Sequence, residues 1–141
     1  MKKSTAAQLY PIDQYMTPSP HTVRADASIA DAQRLMRDGG IRHLPVIDPE
    51  THKLVGITTE RDLLMVQALR TVDLDRTRVD RAMQTDVYGV DRDTPLDEVA
   101  ATMASHRYGS AVVWSGGEIV GIFTNVDANR TLSGLVRKHK S

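Results

Sequence analysis

Two short stretches set a hydroxyl and a carboxylate three residues apart at the end of an apolar run: Gly56-Ile57-Thr58-Thr59-Glu60-Arg61-Asp62 and Gly121-Ile122-Phe123-Thr124-Asn125-Val126-Asp127. Each reads as a strand turning into a helix, where unbonded backbone N–H groups and the positive end of the helix dipole face outward. A phosphate suits such a corner. The threonine and the aspartate one turn later could hold a ribose diol or a phosphate between them. They serve equally well as a helix cap, Thr59 and Thr124 accepting from helix N–H groups while Asp62 and Asp127 favour the dipole. The residues alone leave both readings open.

No other set of side chains makes a persuasive catalytic group. The five histidines, His21, His43, His52, His106 and His139, lack the close pairing of a helical metal site. The absence of cysteine excludes disulfides and thiolate chemistry. Eighteen basic and eighteen acidic residues leave no net charge, which removes the general attraction expected of a nucleic-acid or anionic-membrane binder. No signal-peptide core and no membrane-length apolar run is present, so a cytoplasmic location is expected. The basic end Arg137-Lys138-His139-Lys140 suits the negative end of a helix dipole.

The elements that position the two corners come in two copies. A shift of 67 residues lays Ile12 on Val79, Met16 on Met83, Val23 on Val90, Asp26 on Asp93, Ile29 on Leu96, Met36 on Met103 and Val46 on Val113. The shift then becomes 65, placing Leu54-Val55-Gly56-Ile57 on Ile119-Val120-Gly121-Ile122 and Asp62 on Asp127. A repeat that changes length only at a turn is a duplicated supersecondary unit. One copy would bury too little to be stable, so the two are expected to pack together.

In each copy a helix is announced by a cap: Ser28-x-x-Asp31, and Thr94-Pro95-x-Asp97 with Pro95 expected as the first helical residue. Ile29, Ala32 and Met36, and likewise Leu96, Val99 and Met103, mark a buried face, and Gly39-Gly40 stops the first helix. Leu44–Ile47 with Leu54–Thr58, and Ala111–Trp114 with Ile119–Thr124, read as paired strands around turns. A second helix follows each corner; in copy two it carries Leu132, Leu135 and Val136 on an apolar stripe. The expected division is a flexible N-terminus at 1–8, repeats at 9–68 and 79–137, a linker at 69–78 and a basic tail at 138–141.

Taken in order, Met16-Thr17-Pro18, Thr22-Val23-x-x-Asp26-x-Ser28-Ile29, Ile41-Arg42-His43-Leu44-Pro45-Val46-Ile47-Asp48 and Leu54 through Asp62 resemble one cystathionine beta-synthase (CBS) repeat. Met83, Val90-x-x-Asp93-x-Pro95-Leu96, Tyr108-Gly109-Ser110-Ala111-Val112-Val113 and the corner ending at Asp127 resemble a second. The resemblance covers about nine tenths of the chain. It implies an α+β fold of two beta-alpha-beta-beta-alpha units with pseudo-twofold symmetry, sheets back to back and helices outside, a Bateman module. It also implies a homodimer, and a regulatory role without catalysis in which AMP, ADP or ATP, or S-adenosylmethionine or NAD, is a ligand and no cofactor is required.

The resemblance further implies two crossed clefts. One would join Arg42, Ile57, Thr59, Arg61 and Asp62 to Asp86, Tyr88 and Tyr108; the other would join Ile122, Thr124 and Asp127 to Ser19, His21 and Ile41. The first has Arg42 and Arg61 as countercharge for phosphate, where copy two has Gly109 and Val126, so charged nucleotides are expected to favour the Asp62 side. Asp86 is an awkward neighbour for phosphate but suits an adenine. Tyr88 and Tyr108 could wall the adenine, and aromatic core packing explains them almost as well. The expected partner is an unidentified regulated protein, and neither membrane nor nucleic acid is expected. The competing reading is a ligand-independent scaffold for dimerisation or docking.

Overall fold

The chain is described from a computed structural model covering residues 10–140. The expected flexible N-terminus at 1–8 lies outside those residues. The elements run β1 (Thr17–Pro18), β2 (Val23–Arg24), α1 (Ile29–Gly39), β3 (His43–Ile47), β4 (Leu54–Thr59), α2 (Glu60–Gln67), β5 (Gly89–Asp91), α3 (Leu96–His106), β6 (Ser110–Ser115), β7 (Glu118–Thr124) and α4 (Asn125–Lys140). Single 3-10 turns at Ile12–Gln14 and Val79–Arg81 precede the leading segments of the two repeats. The architecture is mixed α+β, as expected: each copy supplies strand, helix, two strands, helix.

The described residues form two compact units, a central one at 21–87 and a split one made of residues 10–20 with 88–140. The central sheet has the order β2-β3-β4, with β2 parallel to β3 and β3 antiparallel to β4. The split sheet has the order β1-β7-β6-β5, in which β5–β6 is parallel and β1 adds to β7 antiparallel. The register shifts at Val46/Ile47 in one hairpin and at Val113/Trp114 in the other, which are equivalent places.

Each unit buries its own apolar cluster. Val23, Ile29, Ala32, Met36, Leu44, Val46, Leu63 and Val79 form the central one, and Ile12, Val90, Val99, Met103, Ala111, Val113 and Phe123 the split one. A fully buried side chain of this size contributes about 1.5–3 kcal/mol. Ile12 belongs to copy one by sequence yet packs with copy two, and Val79 does the reverse. Repeats and compact units are therefore different divisions of the chain.

The leading segments also close the helix starts. Ile29 N–H donates to the Thr77 carbonyl at 2.9 Å, and Val79 N–H to Ala27 at 2.8 Å. In the split unit Leu96 N–H donates to the Tyr10 carbonyl and Ile12 N–H to Thr94, both at 2.8 Å. The stretch between the repeats is thus strapped onto the central unit, where Leu74 also packs against the core.

Ser28 caps α1 as expected, accepting from Asp31 N–H at 3.0 Å, and Gly40 ends it in the left-handed conformation (φ 62°) that glycine adopts without strain. Arg107 takes that conformation at the end of α3. The start of α3 differs from expectation. Pro95 is the extended cap residue (ψ 139°), not the first helical one, and no side-chain cap is made. The residue before proline is pushed towards extended backbone, and the Tyr10 carbonyl already takes the N–H of Leu96.

Candidate functional site

In the central unit β4 enters α2 at Thr59, whose backbone is extended (φ −113°, ψ 162°). Asp62 N–H donates to Thr59 Oγ1 at 3.1 Å, and Thr59 N–H donates to Asp62 Oδ2 at 2.9 Å, a reciprocal capping box. The Gln84 amide reaches both Asp62 oxygens at 3.2 Å. Glu60 N–H donates to the Arg42 carbonyl at 2.9 Å, which ties the Arg42 backbone to the corner. Among the described residues the Arg42 and Arg61 side chains are exposed and make no hydrogen bond or ion pair. Ile57 is buried and exchanges both backbone bonds with Gln84, at 2.9 and 2.8 Å.

The corner of the split unit has the same plan and a tighter finish. Thr124 N–H donates to Asp127 Oδ2 at 2.9 Å, Thr124 Oγ1 donates to the same oxygen at 3.2 Å, and Asp127 N–H reaches Thr124 Oγ1 at 3.4 Å. Asp127 Oδ1 accepts from Thr17 Oγ1 at 2.9 Å and from Arg130 Nη1 at 3.3 Å. The residue is only 3% exposed. Ile122, on β7, is buried and pairs with Val112 and Thr17. Asn125 N–H meets the Gly109 carbonyl at 3.3 Å, longer than the matching bond to Arg42.

Both corners are laid against a leading segment, whose Thr17 and Gln84 were not among the site residues expected from the sequence. Thr17 and Gln84 are related by the same 67-residue shift and each hydrogen-bonds an aspartate, so the repeat held the signal. Close approach is enforced by glycine: a Cβ on Gly56 would lie 2.6 Å from Met83 Sδ and 2.7 Å from the Gln84 carbonyl, and one on Gly121 would collide with Met16.

The remaining candidates fall into three groups. His21 and Ile41 lie together beside Gly39, whose added Cβ would be 3.6 Å from the His21 ring and 3.5 Å from Ile41. Asp86 is exposed two residues beyond Gln84, and Ser19 holds a left-handed backbone (φ 48°) with its N–H on the Val120 carbonyl. Tyr88 and Tyr108 stack on each other, centroids 5.2 Å apart and planes 17° apart. His106, not singled out from the sequence, stacks on Tyr108 at 5.3 Å. The tyrosines thus pack with each other at the rim of the split core.

Among the described residues no group of three or more His, Asp or Glu is placed to hold a metal ion, and no helix is long and apolar enough to cross a membrane. What the corners offer is a hydroxyl, a carboxylate and backbone N–H groups at a helix start; Arg130 is spent on Asp127 at one corner, whereas Arg42 and Arg61 by the Asp62 corner engage nothing among the described residues.

The model of the CBS domain matches residues 12–69 and 79–134. Among solved structures, a proposed acetoin utilization protein (AcuB) from Vibrio cholerae is 32% identical, covering 93% of this chain and 96% of its own, with a TM-score of 0.78. The CBS domain pair of protein MJ0100, in complex with 5'-methylthioadenosine and S-adenosyl-L-methionine, is 27% identical over 88% of this chain and 96% of its own (TM-score 0.77). CBSX2 in complex with AMP is 26% identical over 89% and 98% (TM-score 0.73). Three curated relatives that are enzymes are far longer, and the chain spans only 23%, 23% and 22% of them. With two family matches on the two halves of a duplicated strand-helix fold, this chain belongs to the CBS-domain family as a CBS pair protein.

Proposed function

We propose that this chain is a non-catalytic regulatory module that binds an adenosine-containing ligand, AMP, ADP or ATP in preference to S-adenosylmethionine or NAD, and signals to a partner protein in the cytoplasm. The observation that carries this reading is the Asp62 corner, where a cap Thr–Asp pair stands beside two arginines whose side chains engage nothing among the described residues. Among the described residues Asp62 Oδ1 accepts only from the Gln84 amide, at 3.2 Å, and a ribose diol donating to that oxygen would compete with this contact. Arg42 and Arg61 supply the countercharge a phosphate requires. CBS pairs of similar fold bind AMP, S-adenosylmethionine and methylthioadenosine, which supports the ligand class. Ligand binding regulates a partner only if two arrangements of the module bind it unequally.

Calorimetry with AMP, ATP, NAD and S-adenosylmethionine tests the proposal. Saturable binding of AMP or ATP that is lost in Asp62→Ala supports it. No saturable binding at millimolar ligand sinks it, and binding that survives Asp62→Ala combined with Asp127→Ala refutes the site.

One observation favours the scaffold reading in parallel. Tyr10, Leu96, Ala100, Leu132 and Leu135 line an apolar groove of about 450 Å³ between α3 and α4, and Leu132 and Val136 are 60% and 46% exposed. An apolar face of this kind suits a homodimer. Native mass spectrometry with Leu132→Lys as control tests it: a dimer is expected from the native chain and a monomer from the variant.

A further inference from the structure

β5 ends the order of its sheet, and among the described residues no strand pairs with its outer edge. Tyr88 C=O accepts from Val112 N–H and Arg92 N–H donates to Trp114 C=O, each at 2.9 Å, so even-numbered residues face β6. By strand alternation the main-chain groups of Gly89 and Asp91 face away from it. The Asp91 carbonyl is used by Thr94 N–H at 3.0 Å. Among the described residues, Gly89 N–H and C=O and Asp91 N–H remain for an incoming strand.

A groove of about 580 Å³ runs along this edge, walled by Tyr88, Trp114 and the α3 residues Glu98 and Thr102. Gly89 keeps the indole in place, since a Cβ there would lie 2.8 Å from Trp114 Nε1. The Asp91 and Glu98 carboxylates make no hydrogen bond or ion pair among the described residues. Among the described residues no basic side chain lines the groove, and the adjacent cation, Arg92, is engaged by Asp13 at 2.9 Å.

We infer that the β5 edge docks an extended, basic segment of a partner protein by strand addition, its Lys or Arg side chains lying between the rings and the Asp91 and Glu98 carboxylates. Three features select this occupant. Main-chain donors and acceptors at strand spacing call for a backbone, not a lone cation. Two aromatic walls and two unpaired carboxylates favour a cationic side chain. A second copy paired through the same edge would set Asp91 and Glu98 against their own counterparts, a repulsive arrangement.

The test is an NMR titration of the full chain with acetyl-Val-Lys-Val-Arg-Val-amide. Saturable binding is expected, with hydrogen exchange at the Gly89 and Asp91 amides slowed by about tenfold or more. Methylating one alternate set of peptide amides should weaken binding by about tenfold and methylating the other set should not, as one-sided strand pairing requires. Glu98→Lys, an exposed change on α3, should weaken binding by about tenfold without altering the rest of the spectrum. Tight binding of an acidic Val-Glu-Val-Asp-Val peptide, equal binding of both methylated sets, the same shifts from arginine amide alone, unprotected Gly89 and Asp91 amides, or self-association through β5 would each overturn the inference.

Discussion

The two strand-to-helix corners descend from one plan and are finished differently. Asp127 accepts from Thr17, Thr124 N–H, Thr124 Oγ1 and Arg130 and is 3% exposed, whereas Asp62 accepts from Thr59 N–H and Gln84 and is half-buried. Arginines stand by Asp62 at positions 42 and 61; glycine and valine occupy the matching places 109 and 126. Duplication thus allowed the work to separate: one carboxylate is committed to holding its unit together, and the other keeps acceptor capacity beside positive charge.

That contrast is most strongly challenged by removing each carboxylate. Asp127→Ala removes the acceptor of the part-buried Thr124 N–H together with the bonds from Thr17 and Arg130 and should cost about 2–3 kcal/mol; Asp62→Ala loses a cap worth about 1 kcal/mol. Urea unfolding measures both, and equal losses would break the comparison. The glycine pair comes next. Gly56→Ala meets the Gln84 main chain as well as Met83 and should cost about 1–3 kcal/mol; Gly121→Ala meets only the flexible Met16 side chain and should cost less. Arg42→Ala with Arg61→Ala should weaken AMP binding by about tenfold, or about 1.4 kcal/mol, with little change in stability.

Two smaller effects sharpen the picture. Thr58 is fully buried with its hydroxyl unpartnered among the described residues, where copy two has Phe123. Thr58→Val should raise stability by about 1 kcal/mol. Backbone N–H groups of Thr51 and Glu50 hold the Asp48 carboxyl below the usual aspartate range. Its stabilising effect is present above the unfolded-state value and is lost as pH falls through the lower folded one. Asp48→Ala should therefore shallow the acid limb of the stability profile, read as the thermal midpoint between about pH 5 and pH 2.

The duplication, both hairpins and the helix ends at Ser28 and Gly40 were legible because spacing and turn chemistry are local. The start of α3 was not: Thr94 and Pro95 read as a cap, but the bond that decides the matter comes from Tyr10, far away in sequence. The exchange of Ile12 and Val79 between units was equally hidden, since apolar periodicity says that a residue is buried and not against what. At the corners the cap geometry could be read directly from Thr-x-x-Asp, while the inequality of the two aspartates depended on contacts from Thr17 and Gln84, far away in sequence, which the local pattern does not show.

The placement of Ile12 and Met16 against β7 and its neighbours sets an order for biosynthesis. Everything the central unit needs has left the ribosome once Val87 emerges, while residues 10–20, made before that unit, must wait for β6 and β7, made after it. Through that interval Ile12 and Met16 have no permanent cover. A segment made before the central unit thus settles only after it, and a nascent chain arrested after Val87 would carry a finished central unit and an uncommitted segment ahead of it.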